Sequence, residues 1–293
     1  MRRALLLTLL VAALAVCARQ PPAPGAAERV VSVSPNTTEA MYAIGAGELL
    51  VGRSQHCDFP PEARRLPSVG GFAAPSVEAI VALRPTLVVG DRGPAGPELV
   101  QKLGAHGIAA YFPAAERIED IEALIVGLGR RVGHAAEAER VAAQIRSELG
   151  AIAHALGGRP PVSVVMVFDP SPIVVAGPGG FPDELIRRAG ARNVVDRGGA
   201  FPTVSIERLL VLDPDVVIDA SDAVRAPGSA ERTAPSPLAS APGWRELRAA
   251  REGRVRRLAA DAVLRPGPRI AEGLAAVVRA LHPGALEDRK GRP

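Results

Sequence analysis

The side chains best suited to chemistry fall in a few places. His56-Cys57-Asp58 sets an imidazole, a thiol and a carboxylate in a row. Imidazole can ligate cobalt or iron, and thiolate is a soft ligand. The usual zinc spacing is absent and no second Cys or His cluster follows. His56 is therefore a lone candidate metal ligand. His106, His134, His154 and His282 fall on expected helices or helix ends and read as solvated. Gly177-Pro178-Gly179-Gly180 suggests a phosphate loop, but Pro182 stands where a third glycine would, and the lysine is missing. Neither Gly-x-Ser-x-Gly nor His-Glu-x-x-His occurs.

Two further carboxylates, Glu78 and Glu207, belong to a repeated block. Val77 to Val89 is answered, 129 residues later, by Ile206 to Ile218. Glu, Leu, Pro and Val recur in register, and apolar positions mostly answer apolar positions. Each copy predicts a short amphipathic helix, a proline stop and a buried strand. Two such copies imply two similar α/β lobes, and a cleft between lobes is a favoured place for a small molecule.

The elements around them alternate. Arg29 to Val33 reads as a first strand. Asn36 or Thr37 then reads as a helix cap, with Glu39 near the third position of a capping box. Strands are expected from Val51, near 87–90 and over Ile108–Phe112, and helices over Glu98–His106 and Ile118–Arg131. Strand–helix alternation marks a largely parallel sheet covered on both faces. Ala135 to Leu156 contains no proline and one glycine, with apolar residues at helical spacing, and predicts a helix about 30 Å long. Beyond it the alternation resumes: a strand from Val162, a helix near Asp183–Ala189, the second repeat copy, a helix near Trp244–Ala250, a strand over Val255–Leu258 and a helix over Arg269–Leu281. Residues 223–243, rich in Pro, Ala and Ser, read as a mobile loop.

The fold class expected is α/β: two Rossmann-like lobes joined by one long α-helix, with the ligand cleft between them. The N-terminal lobe covers 29–134, the connecting helix 135–157, the C-terminal lobe 158–283 and a frayed tail 284–293. Residues 1–17 read as an export signal, with Arg2 and Arg3 before an apolar run too short to span a bilayer as an ordinary helix. Leu14-Ala15-Val16-Cys17 resembles a lipobox, so Cys17 is the expected lipidation site, although Val16 departs from the small residue usual there. Residues 18–28 have linker composition. With 47% hydrophobic residues a sizeable core is available. The net charge of +4 falls to +2 once Arg2 and Arg3 are removed, and scattered basic residues with 3% aromatics give no nucleic-acid footprint. If Cys17 carries lipid, Cys57 has no partner for a disulfide.

Taken together, the chain resembles the helix-hinged substrate-binding proteins of ABC importers, and within them the periplasmic cobalamin (vitamin B12)-binding family. The matching stretches are Arg29–Glu39, Cys57–Ala63, both repeat copies, Ala176–Phe181 and Arg265–Ile270. The resemblance implies an exported, non-catalytic protein, monomeric and without an intrinsic cofactor. It would bind a corrinoid such as cobalamin and deliver it to the transmembrane dimer of an ABC permease. It also implies roles. Glu78 and Glu207 occupy the positions whose carboxylates pair with permease arginines, although a glutamate at a helix N-terminus is also favoured by the macrodipole. Pro35, Phe72, Asp91, Val174, Phe201 and Asp261 are the expected ligand-binding residues, with Phe72 and Phe201 flanking the ring. Asp91 stands where some relatives carry a further aromatic, and Val174 where some carry Phe. Haem-binding relatives often place a tyrosine ligand in the loop holding Phe72, and Phe cannot ligate iron. Haem or a ferric siderophore is the same-fold alternative, with Arg53, Arg92 and Arg265 as cations for an anionic chelate. A metal chelatase-like enzyme, using His56 beside Asp58 as base, is the alternative of another class.

Overall fold

The computed structural model of the protein describes residues 29–93, 96–225 and 235–286. The export signal, Cys17, the linker and residues 287–293 of the tail lie outside them. Among the described residues no helix is long and apolar enough to cross a membrane.

The N-terminal half is built on β1 (Val30–Ser32), α1 (Pro35–Ala43), β2 (Leu50–Arg53), α2 (Val77–Ala82), β3 (Leu87–Val89), α3 (Gly96–Ala105), β4 (Ala109–Tyr111) and α4 (Ile118–Arg131). Its four strands are all parallel, in the order β2-β1-β3-β4. Inner strands β1 and β3 are buried at every position, as a sheet covered on both faces requires. Helix α5 (Ala135–Leu156) then runs for 22 residues. The C-terminal half follows with β5 (Val162–Pro170), β6 (Ile173–Val175), α6 (Phe181–Arg188), β7 (Ala191–Asn193), α7 (Ile206–Leu212), β8 (Val216–Asp219), α8 (Ser221–Arg225), α9 (Arg248–Arg251), β9 (Val255–Arg257) and α10 (Ile270–Leu281). β5 is its central strand, paired in parallel with β7 and β8 and antiparallel with β6; β9 extends the sheet beside β8.

The repeated block folds the same way twice. Ser76 Oγ accepts the Ala79 amide at 3.1 Å and caps α2; Ser205 Oγ accepts the Arg208 amide at 3.3 Å and caps α7. Ile80 and Leu209, at matching positions, are fully buried. Each helix is followed, within two residues, by a residue that precedes a proline, where right-handed helical geometry is disfavoured. Arg84 and Asp213 turn out through φ of +50° and +39°, and among the described residues no other non-glycine residue has positive φ. A shared and unusual exit is stronger evidence of a structural repeat than the sequence identities.

The two halves are not separate bodies threaded on a helix. One apolar cluster includes Val30, Met41, Leu124 and Leu128 from the first half, Ile145, Leu149 and Ile152 from α5, and Met166, Ile186 and Leu274 from the second. α5 packs against both α4 and α10. At the α4–α5 corner a Cβ on Gly129 would stand 2.3 Å from Ala138 Cβ, so only glycine permits that approach.

Several local expectations are corrected. α1 starts at Pro35, one residue after Ser34, which suits proline at a first helical position. Neither Asn36 nor Thr37 is its cap, and Glu39 is not part of a capping box; its carboxylate reaches across to the other lobe. The helix near Trp244–Ala250 breaks into a short 3-10 turn, Trp244–Glu246, and α9, because Trp244 is buried and Leu247 between them is extended. His282 is buried, not solvated, with Nε2 2.9 Å from Ala189 O. Within the supposed mobile loop, α8 covers Ser221–Arg225, and Ser236 donates its hydroxyl to Asp219 at 2.6 Å; residues 226–234 lie outside the described residues.

Candidate functional site

The carboxyl ends of β1, β2 and β3 open on the same side. Parallel strands expose their ligand-facing loops there. Pro35 follows β1, His56 follows β2, Asp91 follows β3, and Phe72 sits in the loop after Gly70-Gly71. With Leu264, Arg265 and Pro266 of the other half they line a cavity of about 350 Å³. A second cavity, of about 450 Å³, lies between Asp91 and Glu116 on one side and Gly179–Pro182, Ala200 and Phe201 on the other. Asp91, Leu264 and Pro266 line both, so the two are compartments of one inter-lobe cleft. Each is within the size range of small-molecule sites.

The aromatic rings expected at the ligand stand one in each compartment. Phe72 is half-buried, and a Cβ on Gly93 would come within 2.6 Å of its ring, so Gly93 makes room for it. Phe201 is 55% exposed, with its ring centroid 5.5 Å from that of Phe168. The glycine-rich segment has a structural use that the sequence did not disclose. Gly177 donates to Ala200 O at 3.0 Å, and a Cβ there would collide with Gly199 O. The segment thus seats the loop that carries Phe201.

Asp91 is largely withdrawn from water. Its carboxylate accepts the Gly93 amide at 3.1 Å, and its own amide donates to Ser34 Oγ at 2.9 Å. Burial pushes the Asp91 carboxyl above its ordinary range, and the bonds from Gly93 and Ser34 only partly oppose this.

The remaining expected ligand residues are placed otherwise. Val174 lies in β6, bridged to Thr203, and lines neither compartment. Asp261 is buried and both its oxygens are taken by arginines, Arg269 at 3.0 and 3.2 Å and Arg265 at 3.2 Å. It is absent from the lining of both compartments, and its carboxylate is engaged chiefly by these arginines. His56 is exposed on the cleft, beside Gln55 at 3.1 Å. Cys57 turns into the core, where burial pushes its thiol up. Asp58 binds Arg265 at 2.7 Å. The triplet therefore diverges, and the base pairing that a chelatase reading asked of His56 and Asp58 is not formed. Among the described residues no group of three or more His, Cys, Asp or Glu side chains could hold a metal ion.

The feature that sequence reading missed is an ion cluster joining the lobes. Arg269 bonds both oxygens of Glu39, at 2.9 and 2.8 Å, and both of Asp261, and it lies 3.9 Å over the Phe59 ring. Arg265 bonds Glu39 at 3.0 Å as well as Asp58. Burial acts against both guanidinium charges, but the surrounding carboxylates outweigh it and hold the arginines more firmly protonated than usual. A second seam lies at α4, where the Ile118 amide donates to Glu184 at 2.9 Å and Arg188 meets Glu119 at 2.9 Å. The Arg265/Arg269 pair, four residues apart around Pro-Gly-Pro, was visible in the sequence; its partners were not.

Glu78 and Glu207 are exposed at the first turns of α2 and α7. Both carboxyls are held below their ordinary range, Glu78 by its own amide and Ser76, Glu207 by Ser205 and its own amide.

A protein of Vibrio cholerae described as a vitamin B12-binding protein is 30% identical over 250 residues, 84% of this chain and 86% of its own length. The structure of the periplasmic vitamin B12-binding protein of Vibrio cholerae superposes with a TM-score of 0.74 at 28% identity, covering 87% of this chain and 96% of that one. A periplasmic haem-binding protein of Pseudomonas aeruginosa superposes with a TM-score of 0.73 at 31% identity, over 88% and 93% of the two chains. The family described as periplasmic binding protein matches residues 30–262, which takes in both sheets and the helix between them. With the fold and most of the sequence in agreement, this chain belongs to the periplasmic binding protein family.

Proposed function

We propose that the protein captures a corrinoid, cobalamin or a close relative, outside the cytoplasm and hands it to an ABC permease without altering it. The observation that carries this reading is the pair of rings, Phe72 and Phe201, standing in the two compartments of one cleft. A wide apolar macrocycle can cover both faces with little conformational loss. The likeness to vitamin B12-binding proteins supports the same ligand. Glu78 and Glu207 would engage cationic side chains of a two-subunit permease, one contact per lobe, and so set orientation. Cys17, if lipidated, would tether the protein to the outer face of the membrane.

Haem is the second reading. It is favoured by the likeness to haem-binding proteins and by His56, whose imidazole faces the first compartment. For a ferric siderophore, Arg265 already shares its charge with three carboxylates and Arg53 is bonded to the carbonyls of Ser54 and Arg64, which leaves that reading resting on the exposed Arg92. Titration calorimetry with cyanocobalamin, haemin and a ferric siderophore decides among them. The corrinoid reading expects sub-micromolar binding of cyanocobalamin. Binding of haemin alone would transfer the site to His56.

A further inference from the structure

The charges facing the cleft do not balance. Arg265 lines the first compartment, but its guanidinium is shared among Glu39, Asp58 and Asp261 at 3.0, 2.7 and 3.2 Å. It has little positive charge left for a ligand. Asp91 lines both compartments, and its carboxylate is met by the Gly93 amide and the Ser34 hydroxyl. Among the described residues no lysine, arginine or histidine pairs with it. Glu116, on the wall of the second compartment, likewise has no cationic partner among them. The uncompensated charge of the cleft is thus negative, and it is centred where the two compartments join.

A macrocycle that fills both compartments must pass its rim over Asp91. Two kinds of rim differ sharply there. A carboxamide can donate an N–H to the carboxylate. A carboxylate rim has no proton to give and brings a second negative charge against a largely buried carboxylate. Like charges set against each other across an interface are strongly disfavoured, and burial weakens the screening that would relieve them.

We infer that Asp91 sets the rim chemistry of the ligand: it admits a macrocycle edged with carboxamides and rejects one edged with carboxylates. This rests on the corrinoid reading above and deepens it, since corrinoids carry peripheral amides whereas haem carries two propionates. It also gives a use to a residue that breaks the aromatic pattern of the wall.

The test compares cyanocobalamin with its monocarboxylic acids, in which one peripheral propionamide has been hydrolysed, and with haemin. Affinities are measured for the wild-type protein and for Asp91→Asn, whose side chain can still accept the Gly93 amide. For the wild type, at least one monoacid isomer should bind roughly ten-fold or more weakly than the parent amide. In Asp91→Asn that ratio should shrink to within about three-fold, and haemin should bind more tightly than it does to the wild type. If every monoacid matches cyanocobalamin on the wild type, the inference is wrong, whether or not the variant folds. A ratio that persists in a folded Asp91→Asn protein also overturns it. If the wild type fails to bind cyanocobalamin at all, the corrinoid reading itself has failed, which is a separate and recognisable result.

Discussion

Asp215 accepts the Ser163 amide and hydroxyl, at 2.9 and 2.6 Å, and Arg248 at 2.9 Å. It ties the start of β5 to the start of β8 and to α9. These bonds, Ser163 foremost, hold its carboxyl well below the usual carboxylate range. A carboxyl depressed in the folded state stabilises the protein fully above its unfolded pKa, near 4, and loses that contribution as the pH falls below it. Asp215→Asn should therefore cost about 1–2 kcal/mol at pH 7, discounted for its partial exposure, with the deficit shrinking below about pH 4. Urea melts at both pH values check this; an equal deficit at pH 7 and pH 3 would refute the electrostatic account. The rings of the cleft make the complementary case, with an effect on ligand and none on fold. Phe201 is exposed and Phe72 half-buried, so truncating either removes little core. Phe72→Ala and Phe201→Ala should each weaken corrinoid binding about ten-fold or more, with thermal midpoints close to wild type. Calorimetry giving unchanged affinity for the double variant would rule out a ring held between them.

At the scale of the element, the repeat was the most legible part of the chain. Its serine caps, though local, were not read, but its apolar positions and its proline act within a few residues, and local physics places them in any context. The same holds for α4 and α5, whose apolar spacing marks them as helices; for α5, Gly157 beyond it also marks the end. Glu39 shows where such reading stops. In a local pattern a glutamate three residues into a helix looks like a capping partner, yet it pairs with arginines 226 and 230 residues away. No spacing rule reports a partner that distant. Asp261 makes the same point: its place after a strand was legible, but its pairing with Arg265 and Arg269 was not. The helices of the repeat carry the prediction for docking. Ser76 and Ser205 cap the helices and also hold the carboxylates of Glu78 and Glu207, which stay exposed and ionised on the outer surface. Glu78→Arg with Glu207→Arg should leave ligand affinity unchanged but cut the stimulation of permease ATP hydrolysis by the loaded protein roughly ten-fold or more. Stimulation retained by the double variant would leave both residues as helix-terminal charges and nothing more.

Across the whole molecule, the ion cluster and α5 act together. α5 fixes one edge of the two lobes through a shared core. Arg265 and Arg269 clamp them again beside the cleft, with side chains only 10% and 13% exposed. Glu39, at 2% exposure, has exchanged its water almost wholly for guanidinium. Such a cluster adds little net stability over an apolar contact, but removing one partner strands a buried charge at a cost of about 3–5 kcal/mol. The clamp therefore sets the distance between the lobes before any ligand arrives. Small-angle scattering of the wild type should give the same radius of gyration with and without ligand. Arg269→Ala leaves Glu39 and Asp261 facing each other with one arginine fewer, and their repulsion favours a wider cleft. In that variant the free protein should expand and contract again on ligand binding. Its affinity should fall because only a fraction of molecules holds the binding geometry at any moment. A wild type that contracts measurably on binding would mean that the cluster forms only with the ligand in place, and that the lobes close on it rather than wait for it.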